Sequence, residues 1–278
     1  MHEAPNNTPL ASFEAKWNAA RPELALALKF VAPPIRRARM VFACLAHELE
    51  HAAFGVREAQ PAVVKLQWWA DEFAHAARSQ ARHPLTQALL EQTHLAVIPL
   101  THWLDVVRGA LAQRDRDPAV DTEALLAAYA ELYGPLAAIE AMLFPSIDAT
   151  AAARARSLSR ALRETAGLSV TLRDGRVPVP LDVLARHRLA RGDLAQTCDR
   201  QASALREWLA WLAEECQRAG RASVSPGVLA QAGLGADTWR AQTAARAADP
   251  ITTLDMLFRR LSLRTVWAAW RAGRRSPA

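Results

Sequence analysis

The chain has 278 residues, 51% of them hydrophobic and 22% charged, with a formal net charge of +6 in which Lys16, Lys29 and Lys65 are the only lysines. Alanine and leucine dominate the apolar fraction and no run alternates cleanly, which excludes a β-rich fold and points to an all-α chain of one large or two modest domains. No apolar run reaches the roughly 18 residues of a spanning helix, and Cys44, Cys198 and Cys216 form no Cys-x-x-Cys pair, which argues against a thiolate metal site and for a reducing compartment.

With no basic-then-apolar leader at the start, the reading is a cytoplasmic protein, with peripheral membrane contact as the alternative. Residues 1–11 are polar, hold Pro5 and Pro9, and read as a flexible N-terminus. Ser12 is a candidate cap for a helix through Trp17. Pro22 opens a second helix, Glu23 to Val31, which Pro33-Pro34 breaks. Ile35 to about Arg57 reads as a long apolar helix. Further on, Val63, Leu66, Ala70 and Phe73 share one helical face with Trp69 beside it, so Trp68 and Trp69 read as two large core anchors. This helix is expected to end near Arg82, and His83-Pro84 starts another over Leu85 to His94. A third begins near Pro99 and carries His102, Trp103, Asp105 and Arg108; Asp105 reads as a partner for an arginine.

Arg114-Asp115-Arg116-Asp117-Pro118 reads as a solvated turn. Asp121-Thr122-Glu123 caps a helix through Tyr129 and Tyr133, punctuated by Gly134-Pro135. Ala149 to Leu168 is a helix rich in arginine: Arg154, Arg156, Arg160 and Arg163. Gly192 and Asp193 start the next, in which Leu205, Trp208, Leu209 and Leu212 make an apolar stripe. Gly220 to Gly235 reads as a looser stretch, and Trp239 as the start of a short helix. Asp249-Pro250 leads into a last helix, Leu254 to Trp270, whose apolar face sits beside Arg259, Arg260, Arg264, Arg271, Arg274 and Arg275. It reads as a final core helix with a solvated basic edge, against the alternative of a membrane or partner contact.

The sharpest chemical signal is His47-Glu48-Leu49-Glu50-His51, which fits both His-Glu-x-x-His and its inverse. On a helix His47 and His51 share a face, as two zinc ligands would, and Glu48 could act as a base. A third ligand is needed, and Asp71 or Glu72 lies one helix downstream. Against a zinc hydrolase stand the charge of Glu50 inside the motif and the lack of any strand to line a cleft.

Two segments carry a resemblance to a known family. Val64-Lys65-Leu66-Gln67-Trp68-Trp69, followed by His83-Pro84, resembles the squalene/phytoene synthase family, in particular the divergent branch that includes a mitochondrial complex I assembly factor. Gly175-Arg176-Val177-Pro178-Val179-Pro180 resembles the Gly-Arg-x-x-x-Pro turn of the same family, in the expected order. Leu104-Asp105-Val106-Val107-Arg108 is similar to a third family segment, and the family has a tyrosine in the helix of Tyr129. The resemblance runs from about Ile35 to Trp270.

It implies a single all-α terpenoid-synthase-type domain around a central cavity, here residues 12–270, with 271–278 as a basic tail. It also implies two Asp-x-x-x-Asp motifs, whose paired carboxylates hold Mg²⁺ against a diphosphate. The first would fall near Leu49 and Ala53, or near Phe54, and the second on Gly167 and Thr171; none is Asp. His47, Glu48, Glu50 and His51 remain on the first-motif helix, and Arg163, Glu164, Asp174 and Arg176 in the second-motif region. Gln67, Trp68, Trp69, Asp105 and Tyr129 are candidates for the cavity or the core. The resulting expectation is a protein without catalytic residues, metal or cofactor, holding an isoprenoid or lipid or assisting a partner protein's assembly. The alternatives are a prenyl transferase whose Mg²⁺ site is rebuilt from the four first-motif residues, and a zinc hydrolase using His47, His51 and Glu72. The arginines are spread rather than clustered in a recognised module, so nucleic acid is not expected.

Overall fold

The computed structural model describes residues 8–92 and 98–275, and among them the chain forms fourteen α-helices and no strand. They are α1 (Pro9–Ala20), α2 (Pro22–Leu28), α3 (Pro33–Glu50), α4 (Ala59–Ala76), α5 (Pro84–Gln92), α6 (Leu100–Ala112) and α7 (Thr122–Leu143) in the first half. The second half adds α8 (Ala149–Ala166), α9 (Leu168–Arg173), α10 (Leu181–Arg186), α11 (Asp199–Arg221), α12 (Val228–Ala245), α13 (Pro250–Arg259) and α14 (Leu263–Arg275). Helix α8 is the axis: α7, α11, α12, α13 and α9 all pack on it. Its inward residues Ala152, Ala155, Leu158, Ala161 and Leu162 are small or aliphatic and buried, so neighbours approach closely. The stripe Leu205, Trp208, Leu209 and Leu212 of α11 is buried as its spacing requires, and the Trp208 Nε1 donates to Thr165 Oγ1 at 3.0 Å.

Several boundaries differ from the sequence reading. The first helix starts at Pro9, inside the stretch read as flexible, because Thr8 caps it; the hydroxyl of Ser12 instead donates to the Pro9 carbonyl. Met1–Asn7 lie outside the described residues, as do His94, at the expected end of α5, and the last three residues of the basic tail. Helix α4 stops at Ala76 rather than near Arg82. Helix α7 runs through Gly134-Pro135 without breaking. Proline at 135 leaves the Glu131 carbonyl without its intrahelical donor, and Gly109 of α6 sits against that same carbonyl, where a Cβ would come to 2.1 Å.

After Gly192 there is only a short 3₁₀ turn, Arg191–Ala195, and α11 begins beyond Cys198. Helix α12 runs straight through Gly233 and Gly235, the stretch read as loose. Tertiary packing overrides their low helix propensity, since a Cβ on Gly235 would lie 3.0 Å from Ala268 Cβ of α14. The last helix is two: Ser262 and Thr265 hydrogen-bond each other's backbone amides and open a new helix at Leu263, a reciprocal cap. Arg271 to Arg275 of the basic tail belong to this helix.

Candidate functional site

The arginine-rich helix α8 turns its charges inward. Glu164 is 1% exposed, and a lone carboxylate there would be prohibitively costly. Three guanidiniums surround it: Arg160 one turn back at 3.0 Å, Arg116 at 3.2 Å and Arg176 at 3.1 Å. The Tyr129 hydroxyl donates to it at 2.6 Å. Burial works against its charge, but Arg160, Arg116 and Arg176 outweigh that and hold its carboxyl down to about 2. The guanidiniums also lie over aromatic faces, Arg160 on Phe54 at 3.7 Å and Arg116 on Tyr129 at 4.4 Å, where desolvated cation–π contact is favourable.

Each cation arrives by a local device. Gly175, at φ +78°, ends α9: its amide donates to the Leu172 carbonyl and that of Arg176 to the Thr171 carbonyl. This paired closure needs a residue at ease in the left-handed region, and it aims Arg176 at Glu164. The following turn is pinned where Leu181 and Asp182 donate to the carbonyls of Ala119 and Val120, which holds the neighbouring Arg116 in place. Arg114 donates to the Val56 carbonyl at 2.6 Å, just past the π-helical turn His51–Gly55 that extends α3. The segment read as a solvated turn is therefore built into the interior through both arginines.

The alternation of charge continues outward from Glu164. Glu50 of α3 pairs with Arg21 at 2.8 Å; burial opposes its charge, and Arg21 and Arg156 hold it down to about 2. Glu140 of α7 takes Arg156 at 2.7 Å and Arg39 at 3.5 Å. Glu23 of α2 pairs with Arg163 and, at 3.6 Å, with Arg240, which also holds Asp237. Between these elements lies a cavity of about 70 Å³ lined by Trp17, Arg21, His47, Glu50, Glu140 and Arg156 among others.

Of the residues singled out from sequence, Tyr129, Glu164 and Arg176 meet in this core; the others scatter around it. His47 and Glu50 line the cavity, and burial pushes the imidazole of His47 below its usual range. Glu48 does not join them: it takes Lys16 at 2.5 Å and Lys65 at 2.9 Å on another side of α3. His51 lies in the π-helical turn, its ring over Gly55, where a Cβ would meet Cδ2 at 2.7 Å. Burial and the nearby Lys16 and Lys65 push its imidazole down. The four first-motif residues thus do not converge on one cavity.

Glu72 has a different task. Its Oε1 accepts from the amides of Arg82 and His83 and from Thr86 Oγ1, at 2.9, 2.9 and 2.5 Å, fastening the start of α5. It is not gathered with His47 and His51, and among the described residues no group of three His, Cys, Asp or Glu is placed to hold a metal ion. Trp69 is buried, but Gln67 is exposed and Trp68 is 42% exposed, so only one of the tryptophan pair anchors the core. Trp68 and Trp69 instead close on the His83 ring. Asp105 pairs with Arg108 at 2.9 Å on the surface of α6. Arg163 goes to Glu23, and Asp174 meets Arg176 at 3.4 Å. Thr171 Oγ1 donates to the Glu164 carbonyl at 3.0 Å, while Leu49, Ala53 and Phe54 are core. Sequence reasoning missed Arg21, Glu23, Arg116, Glu140 and Arg240 as members of the network. Little local signal marks them, since Arg21, Glu23, Arg116 and Glu140 find their partners on other elements, and Arg240 has only Asp237 on its own helix.

A family model described as squalene/phytoene synthase matches residues 18–271. Among solved structures, a dehydrosqualene synthase crystallised in complex with a ligand is similar with a TM-score of 0.61 at 9% identity, over 90% of this chain and 95% of that one. The squalene synthase HpnC from Alicyclobacillus acidocaldarius is similar with a TM-score of 0.55 at 16% identity, over 90% of this chain and 94% of that one. At these identities the likeness is one of fold. No curated protein matches the chain.

Proposed function

The chain belongs to the squalene/phytoene synthase family, and from that premise we propose that it keeps the family fold without metal-dependent prenyl transfer and works as a non-catalytic scaffold for assembling a partner protein. The observation that carries this reading is the state of Glu164, fully buried and bound by Arg116, Arg160 and Arg176. Ionising a prenyl diphosphate requires cations to neutralise the leaving group, and Mg²⁺ would need free carboxylate oxygens. The carboxylates facing the centre, Glu50, Glu140 and Glu164, are already bound by guanidiniums. The donor set does not fit Mg²⁺. Leu49, Ala53, Phe54, Gly167 and Thr171 stand where the family resemblance puts the aspartates.

At about 70 Å³ and lined by charged pairs, the cavity beside Glu50 is small against the roughly 300–1,000 Å³ of mostly apolar ligand pockets, which speaks against a lipid enclosed there; grooves of about 700 Å³ between α7, α8 and α11 and about 790 Å³ between α9, α11 and α13 lie away from it. The test is a thermal-shift titration of the purified chain with farnesyl and geranylgeranyl diphosphate, with and without Mg²⁺, alongside an assay for released diphosphate. The expected result is no Mg²⁺-dependent stabilisation and no release. Stabilisation that needs Mg²⁺, with turnover, would return the chain to the synthases; stabilisation without Mg²⁺ or turnover would favour a non-catalytic isoprenoid-binding role.

A further inference from the structure

Helix α14 is built inside out. Its face toward α12 and α2 holds Thr265, Ala268, Ala269 and Ala272, all buried. Ala269 and Ala272 make a small cluster of their own with Ala27 and Ala232. Its large apolar residues point the other way: Leu263 is 88% exposed, Trp267 54%, Trp270 43% and Val266 42%. At 100° per residue they span one arc, opposite the buried face. Leu261, two residues before α14, is also exposed. A soluble surface seldom gathers tryptophan and leucine in this way without a partner.

The chemistry beside the patch identifies the partner. Arg264 and Arg271 flank the apolar arc, with Arg271 against the Trp267 ring at 5.0 Å and Arg274 against Trp270 at 5.2 Å. A groove of about 210 Å³ between α14 and the α11–α12 pair is lined by Arg221, Arg264, Arg271 and Arg275, and by no carboxylate. None of these four, nor Arg274, forms an ion pair among the described residues, although most arginines of the interior do. Tryptophan prefers the depth where acyl chains meet headgroups, and guanidinium pairs with phosphate. No described helix is long and apolar enough to cross a membrane, so the element would lie along one.

We propose that the outer face of α14, with its arginine groove, is a docking surface for an anionic phospholipid bilayer, Trp267 and Trp270 entering the interface and Arg264, Arg271, Arg274 and Arg275 meeting lipid phosphates. This inference is independent of the scaffold reading.

The experiment is flotation of the purified full chain with vesicles of phosphatidylcholine alone and of equal parts phosphatidylcholine and phosphatidylglycerol. The chain is expected to float with the anionic vesicles and to be released as salt rises. Trp267→Ala with Trp270→Ala should weaken partitioning on the order of tenfold or more, and Arg264→Gln with Arg271→Gln by roughly fivefold for each charge removed. Trp68→Ala, a tryptophan on another helix, should float like the parent, and the α14 variants should keep the parent's thermal melt. Failure to float with anionic vesicles would overturn the proposal, as would flotation that survives loss of both tryptophans. Light scattering that finds a dimer dissociated by the tryptophan variant would also overturn it, by giving the face to a second copy of the chain.

Discussion

Arginine does two different things on α8 and on α14. On α8, Arg156, Arg160 and Arg163 point inward and each meets a glutamate, Glu140, Glu164 and Glu23 respectively. On α14, Arg264, Arg271 and Arg274 point outward, stand beside tryptophan or an arginine-lined groove, and meet no carboxylate among the described residues. A guanidinium matched inside the molecule is structural and has nothing left to offer a ligand. One left unmatched on an apolar face is available to a partner. Both helices are rich in alanine and arginine, and the location of the opposite charges separates them.

The sharpest way to break the comparison is to remove the buried anion. Glu164→Gln leaves Arg116, Arg160 and Arg176 facing one another without a charge to share, and breaking a buried pair from one side typically costs about 3–5 kcal/mol. Chemical denaturation should show a loss of that order, with vesicle flotation of the surviving folded fraction unchanged. A loss below about 1 kcal/mol would mean that water already reaches the network.

Acid separates the two regions more gradually. Glu50 and Glu164 have folded carboxyls held at about 2, below the ordinary value of roughly 4.3. Their contribution is therefore full above that ordinary value and is lost as pH falls through about 2. A pH series of thermal melts should show stability declining steadily across that window.

Next in size is the close approach of α6 and α7. Gly109→Ala drives a methyl into the Glu131 carbonyl, where a Cβ would sit at 2.1 Å, and overpacking of this kind costs about 1–3 kcal/mol, readable as a lowered denaturation midpoint. The smallest stability effect belongs to the other side of the comparison. Arg264→Gln should change stability by less than about 0.5 kcal/mol, since it has no ionic partner to lose, while lowering vesicle partitioning.

Local chemistry was legible wherever a residue acts on its own neighbours. Asp121 caps α7, the prolines at 22 and 84 open helices, and the α11 stripe is buried; Pro33, read as a break, instead opens α3, and Asp148, read as loop, caps α8. The Ser262–Thr265 cap that divides the last helix also lies in the chain, three positions apart in Ser-Leu-Arg-Thr. Gly134-Pro135 misled because α7 continues through the proline, with Gly109 of α6 packed against the carbonyl that the proline leaves without a donor. Gly233 and Gly235 misled for the same kind of reason, as close contacts with α2 and α14 favour small residues within α12.

The sequence by itself determined the all-helical class, most helix positions and the family, since periodicity, caps and two short segments are properties of neighbouring residues. Only the tertiary structure decided which charges are spent inside. Glu164 and Arg116 are 48 positions apart, and Glu23 and Arg163 are 140 apart. No pattern along the chain distinguishes an arginine that will meet such a partner from one, like Arg271, that faces outward. The difference arises when the helices pack, because burial makes an unmatched charge so costly that partners must be supplied from wherever the fold brings them.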